Sequence, residues 1–459
     1  MGLLELPPEL LLIIADHLEF QSDLNSFAQT NRCTWAAINR YLYRFNIVNH
    51  QGHGIIKATN DNQQSSIQYF IDAGIRGLES WDCLPLFFAS GRGYDSVLST
   101  LLEAGAASDF EMIQYDRLIS PLVYACTGGH ENAVNLLIQY GADVNLNIRP
   151  QAQSPLHTAA YYGHESIVRV LIQRGANIEA TAQSVIGDGR PLHFALQGRK
   201  LDAFRILIAN GATVDSSFFH WAVSAVGNAW EFLLAILETG IDVNCRGDKF
   251  RAPLHSAAMN GGTDVARFLI QKGADIEARD ASLSTPLHIG ASWCNTNVIK
   301  ILLELGGADV HAHDLKGNTP LHLVTTGLGD HDEIGTATIL VENGASVESQ
   351  NNHRETPLFL AVRNKSVAMT QLLIEMGADI EHRNKRGETP IYCALRTHSK
   401  PIIQLLYVEG CETEIQNARG ETPLDISSKQ NIRTNRFFCA MMDECHKPQR
   451  EELEETREF

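Results

Sequence analysis

No two of the nine cysteines form a Cys-x-x-Cys pair, and no Cys/His quartet has the spacing of a zinc site. Dispersed over positions 33, 83, 126, 245, 294, 393, 411, 439 and 445, they predict reduced thiols and a cytoplasmic or nuclear protein, not a disulfide scaffold. Positive charge is also short: 37 Lys and Arg stand against 54 Asp and Glu, a net charge of −17. That balance repels phosphate backbones, so nucleic acid is not expected as a partner. The local basic run Arg383-Asn-Lys385-Arg386 reads as solvated loop charge. The apolar opening is interrupted by Glu5, Glu9 and Asp16 and lacks a basic leader, which argues against a secretory signal or a membrane span. No P-loop, nucleophile elbow or kinase set occurs. Gly187-Asp-Gly189 and Gly327-Leu-Gly329 lack the third glycine and the preceding strand of a dinucleotide fingerprint. His130-Glu and His164-Glu lack the second histidine of a zinc-protease motif. No catalytic residue, metal site or cofactor is therefore expected, and the chain reads as a non-enzyme.

What is present is periodic. An Ala-to-Gly spacing of sixteen recurs eight times, from Ala58–Gly74 and Ala89–Gly105 through Ala125–Gly141, Ala159–Gly175, Ala195–Gly211 and Ala257–Gly273 to Ala361–Gly377 and Ala394–Gly410. Three further units stretch it: Ala222–Gly240, Gly290–Gly307 and Val324–Gly344. These predict loop insertions or bulged helices, and the unit around Ile55-Ile-Lys-Ala58 reads as weak or half-formed. A period near 33 residues means stacked supersecondary units that bury their faces only against one another. A hydrophobic fraction of 44% and a charged fraction of 20% fit a folded chain.

Within one unit, Ser154 is placed to cap a helix and Pro155 to occupy its first position, where no backbone donor is needed. Ten of the fifteen prolines share that slot, so proline marks helix starts here. A short apolar helix ends at Gly163-His164, and a second helix carries Ile167, Val168, Val170, Leu171 and Ile172. Gly175 closes it with a left-handed residue. His157, His193, His255, His288 and His322 share one repeat slot, where they are expected to hydrogen-bond a turn rather than a metal.

The runs Ser154-Pro-Leu-His157-Thr-Ala159, Thr285-Pro-Leu-His288 and Thr319-Pro-Leu-His322, each followed by Gly-Ala, resemble ankyrin repeats. The resemblance covers residues 46–435, about eleven repeats and a terminal half-repeat at Thr422-Pro-Leu-Asp425. It implies an all-α solenoid of helix-turn-helix units with β-hairpin-like fingers. It also implies a role in binding protein partners. In such arrays the groove is lined by finger tips and by residues just after the His-x-Ala slot. That implies Tyr161, Tyr162, Met259, Asn260, Ser292, Trp293, Arg363 and Arg396, residue types enriched at interfaces. Packing of Tyr162 and Trp293 onto neighbouring repeats is the alternative. The longer fingers at 107–119 and 181–189 also extend toward a partner.

Residues 1–45 follow another pattern. Leu6-Pro7-Pro8-Glu9-Leu10 opens a helix whose Leu10, Ile13, Ile14 and Leu18 share a face, followed by Asp23-Leu24 and Trp35. This segment resembles an F-box, matching at Leu6, Pro7, Glu9, Leu10, Leu11, Ile14, Asp23, Leu24 and Trp35. F-boxes dock on the Skp adaptor of cullin-RING ubiquitin ligases. Leu6, Pro7, Glu9, Leu10, Ile14, Leu18, Leu24 and Trp35 are therefore implied as adaptor contacts, leaving the repeats to select a target. The order F-box then ankyrin array resembles an architecture common among fungal proteins. The alternative is that these helices only cap the first repeat, making the chain a scaffold without a ubiquitin role. Residues 436–459 read as a closing helix and a charged tail.

Overall fold

The computed structural model describes residues 53–72, 83–109, 112–114, 117–146, 153–184, 187–225, 230–325, 332–430 and 436–441. The F-box-like segment, with all eight implied adaptor contacts from Leu6 to Trp35, lies outside the described residues. Two compact units divide the chain, 1–213 and 214–459. Among the described residues each is a stack of helix pairs.

In the first unit the pairs are His53–Asn60 with Gln64–Asp72, Cys83–Arg92 with Asp95–Glu103, and Pro121–Gly128 with Glu131–Gln139. Pro155–Tyr162 with Glu165–Gln173 and Pro191–Gln197 with Leu201–Ala209 complete it. The opening pair is formed in both helices and buries Ile55, Ala58, Ile67 and Phe70, so the sequence understates it. The second unit runs from Ser216–Ala225 with Trp230–Leu237 to Pro390–Thr397 with Lys400–Val408, then Pro423–Gln430. Residues 436–441 add a last helical stretch whose Phe438 is fully buried.

The sequence dictates these boundaries locally. Nine of the ten slot prolines are the first residue of their helix, where proline's missing N–H costs nothing. Pro85 instead lies inside Cys83–Arg92. The second helices bury a stripe such as Ile167, Val168 and Leu171, all at 0% exposure. Truncating one such leucine to alanine costs about 3 kcal/mol. Gly175 ends its helix at φ +86°, which satisfies the last carbonyls without a Cβ clash.

Five of the first helices are anchored by a histidine, at positions 157, 193, 255, 288 and 322. The N–H of Ser154 donates to His157 Nδ1 at 3.2 Å, and the Ser154 hydroxyl bonds the same ring nitrogen at 2.8 Å. The direct hydroxyl cap anticipated at Ser154 is thus redirected to the ring, whereas Ser120 does accept directly from the Val123 N–H at 3.2 Å. With Nδ1 accepting, the ring proton sits on Nε2, which donates across the boundary to the next repeat. His157 reaches the Gly189 carbonyl at 3.2 Å. His255 reaches that of Ser284, His288 that of Asn318 and His322 that of Glu355, each at 3.0 Å. In the next slot stands Phe359, and after it Tyr392, whose hydroxyl donates to the Glu421 carbonyl at 2.6 Å. Phe359 and Tyr392 offer no Nδ1, and the Oγ1 atoms of Thr356 and Thr389 are buried without a hydrogen-bond partner among the described residues.

The fingers divide into two kinds. Met112–Gln114 pairs antiparallel with Arg117–Ile119, and Ala182–Ser184 with Gly187–Gly189, as short hairpins. In the second unit each finger is a tight loop closed by one backbone bond, as from the Asn351 N–H to the Glu355 carbonyl at 3.0 Å. In all but the 247–251 finger an Asp or Asn side chain fastens that loop: Asn351 Oδ1 accepts from the N–H groups of His353 and Glu355 at 2.8 and 3.1 Å. Asp280, Asp314, Asn384 and Asn417 do the same in their fingers. Such side chains favour these turns because they replace a backbone acceptor two residues on.

The stretched spacings have different causes. For Gly290–Gly307 the extra residue sits at the helix end, where Leu305 continues past Thr296–Glu304 and Gly307 takes φ +63°. In the other two, the helices Ser216–Ala225 and Trp230–Leu237, and Pro320–Val324 and Glu333–Glu342, are separated by longer connections.

Candidate functional site

Surface chemistry in a stack of this kind comes from the ends of first helices and from finger tips, because second helices and first-helix bodies bury each other. In the first unit Tyr161 and Tyr162 end the helix Pro155–Tyr162 at 39% and 45% exposure. Their rings meet edge to face at 5.2 Å, and Tyr162 stacks on His164 at 6.2 Å. Tyr162 is therefore presented to solvent against two local rings, Tyr161 and His164.

The six other groove candidates belong to the second unit. Met259 is half-buried, its sulfur 3.5 Å from an Arg251 nitrogen. Asn260 is exposed, but its amide donates to Ser224 Oγ at 2.8 Å and the Ser256 carbonyl at 2.9 Å. Ser292 and Trp293 are half-buried at the end of Pro286–Ser292. Arg363 pairs with Glu355 and Arg396 with Glu388. These two guanidiniums brace the base of their own fingers against nearly buried carboxylates. Sequence reasoning thus grouped residues of unlike standing: two displayed tyrosines, two committed arginines, and side chains partly occupied within the stack.

That reasoning put finger tips on the groove but named none of the tip residues of the second unit. Phe250, Leu283 and Leu315 are 68%, 46% and 63% exposed. The backbone ties each tip to the next: Ala281 N–H to the Lys249 carbonyl and Leu315 N–H to that of Ser282, both at 2.8 Å. Asn352 then bonds Lys316, Lys385 bonds His353 and Ala418 bonds Arg386, each N–H to carbonyl at 2.9 Å. The available signal was an apolar residue three positions before Pro253 and before Pro286, in a turn where Gly317, Gly387 and Gly420 hold the same place elsewhere.

The buried histidines are unsuited to acid–base work. Burial lowers His157 and His322 to about 4, and lowers His255 and His288 as well. Burial raises the thiols, Cys294 and Cys393 to about 11 and Cys411 to about 12. Among the described residues, Glu348, Asp379 and His382 hold ligand-type atoms within 4.8 Å of one another. Each is already engaged: Glu348 accepts the Asp379 N–H at 2.8 Å, Asp379 accepts that of Glu381 at 2.8 Å, and His382 bonds the Arg354 carbonyl at 3.1 Å. The Glu-to-backbone link recurs without a histidine at Glu277–Asp309 and Glu381–Glu412, at 2.9 and 2.6 Å. The cluster is one rung of a repeat-joining ladder.

Comparison with known families bears on the whole array. The family described as "Ankyrin repeats (3 copies)" matches residues 53–148, 86–182, 147–218, 219–314 and 305–384. "Ankyrin repeats (many copies)" matches 367–406. No F-box domain is detected in the N-terminal segment. No curated protein matches the chain. No helix among the described residues is long and apolar enough to cross a membrane.

Proposed function

Because the chain belongs to the ankyrin-repeat proteins and is thereby a protein–protein interaction module, we propose that it is the substrate receptor of a Skp-cullin-F-box type ubiquitin ligase. The observation that carries this reading is the order of residues ahead of the array: Leu6-Pro7-x-Glu9-Leu10, then Ile14, Leu18, Leu24 and Trp35. That segment engages the Skp adaptor, and the repeats hold the target. The protein itself catalyses nothing. It holds a target near a ligase, in the cytoplasm or nucleus, where its dispersed thiols stay reduced.

The test is capture of the Skp adaptor by the full chain, by residues 46–459, and by a Leu6→Ala/Pro7→Ala variant, with circular dichroism confirming that each form is folded. Capture by the full chain alone establishes the receptor. No capture by the full chain, or unfolding on removal of residues 1–45, assigns the N-terminal segment to capping and leaves a scaffold without a ubiquitin role.

A further inference from the structure

Six consecutive finger tips of the second unit stand side by side, joined by the carbonyl-to-N–H bonds that run from Lys249 to Ala418. Their chemistry changes along the row. The first three display Phe250, Leu283 and Leu315, among the most exposed large apolar side chains of the described residues. The row also carries Lys249, Lys316, Arg354, Lys385, Arg386 and Arg419, all exposed. Four of these six cations stand on the last three fingers. None of the six is in an ion pair among the described residues. Among the three central residues of each loop Asp248 is the one acid, while Asp280, Asp314, Glu355, Glu388 and Glu421 stand at the loop ends, in a chain whose net charge is −17. The centres of the tips therefore carry an excess of exposed cations, six against one acid, in a chain of the opposite net charge.

The backbone adds an independent sign. Phe250, Leu283 and Arg354 occupy the left-handed turn position, at φ +57°, +56° and +55°. The equivalent residues of the other fingers are Gly317, Gly387 and Gly420. Glycine enters that region freely and bulky residues resist it. Three tips thus keep a large side chain where glycine would relieve strain, and strain retained in this way accompanies binding sites.

We infer that this row binds an acidic peptide segment of a partner protein, one that carries apolar side chains for the Phe250–Leu283–Leu315 end and carboxylates for the Arg354–Arg419 end. The inference rests on the reading of the array as an interaction module and names the chemistry of its target. A phosphate polymer matches the row less well. Its apolar end offers nothing to a phosphate backbone, and the acidic remainder of the chain repels a long polyanion. A short acidic segment meets only the tips.

The test is selection of a random 12-residue display library on the full-length chain, followed by fluorescence anisotropy with the enriched peptides. The expected peptides are rich in Glu and Asp and carry Leu or Phe. Their affinity falls at least about tenfold in a Lys385→Glu/Arg386→Glu/Arg419→Glu variant. It also falls in Phe250→Gly/Leu283→Gly, weakens with added salt, and is unchanged in Val408→Ser, which alters an exposed apolar residue off the row. Neutral or basic peptides, or acidic peptides indifferent to the tip changes, overturn this inference while the interaction-module reading stands. No enriched peptide together with tip-dependent binding of a single-stranded DNA oligonucleotide overturns it in favour of nucleic acid. No binding of either probe overturns it outright. Failure of adaptor capture concerns residues 1–45 alone and leaves the row untouched.

Discussion

His322 Nε2 donates to the carbonyl oxygen of Glu355, thirty-three positions onward, at 3.0 Å, while its Nδ1 holds the Thr319 N–H at 3.1 Å. One ring therefore fastens the start of its own helix and the finger that precedes the next. Replacing it by alanine strands the buried Thr319 N–H and hydroxyl, leaves the Glu355 carbonyl with the Asn351 N–H alone, and opens a cavity. The expected cost of His322→Ala is about 3 kcal/mol, read as a lowered urea midpoint. A shift under about 1 kcal/mol sinks this account of the clip.

Thr356 and Thr319 occupy equivalent slots with opposite prospects. Thr319 Oγ1 bonds His322 Nδ1 at 2.9 Å, whereas Thr356 Oγ1 is buried without a partner beside Phe359. Thr319→Val is expected to cost about 1 kcal/mol. Thr356→Val is expected to be neutral or stabilising, because it removes an unsatisfied hydroxyl. Equal losses at both sites contradict the role given to the ring nitrogen.

The difference between these two threonines marks how far the sequence alone reaches. Period, proline slot and helix-ending glycine are written in residue type and spacing, so the helix pairs and the shared histidine slot are legible from Ser154 to Asn177. Which carbonyl His322 reaches is set by stacking, and no residue type at position 355 announces it. The tip row was hidden for a related reason. Phe250 and Leu283 fill a left-handed position that sequence patterns assign to glycine, so their apolar character reads as ordinary core. The pairing of Arg363 with Glu355 and of Arg396 with Glu388 was not legible either, since it depends on a finger folding back eight residues. The eight proposed adaptor contacts from Leu6 to Trp35 lie outside the described residues and stand on their pattern alone.

Burial lowers His157 and His322 from 6.5 to about 4, and lowers His255 and His288 in the same direction. The unfolded chain therefore binds more protons than the folded one between these values. Stability from the neutral rings is full above about pH 6.5 and is lost as pH falls toward about 4. For His157 and His322 the loss amounts to about 3 kcal/mol each. Urea midpoints are expected to drop between about pH 7.5 and about pH 5. His322→Phe, which adopts the choice already made at Phe359, is expected to flatten that slope. A slope unchanged in His322→Phe shows that carboxylates carry it instead.

Desolvation raises Cys294 and Cys393 to about 11 and Cys411 to about 12, and raises Cys126 further still. Thiolate is the reactive form, so these four are expected to resist iodoacetamide near pH 8 in the folded protein and to label fully in urea. Peptide mapping by mass spectrometry checks each site. Rapid native labelling of Cys126 or Cys411 contradicts the packing around them.

Gly198 follows the helix Pro191–Gln197 with an ordinary right-handed backbone, φ −73°, so conformational freedom is not what it supplies. It supplies space. A Cβ there runs into the backbone carbonyl of Tyr161, with the carbonyl carbon at 2.9 Å, and backbone cannot rotate away as a side chain does. Gly175 is the reverse case, with nothing within 4 Å of a Cβ but φ at +86°. Gly175→Ala is expected to cost about 1 kcal/mol through local strain. Gly198→Ala is expected to cost about 3 kcal/mol, because the helix it follows and the helix Pro155–Tyr162 must separate. That separation moves Tyr161 and Tyr162, so Gly198→Ala is also expected to change tyrosine fluorescence while Gly175→Ala does not. Equal losses in urea unfolding at both sites show that the close approach at Tyr161 relaxes without cost, and the tyrosine pair is then not held by the turn of the following repeat.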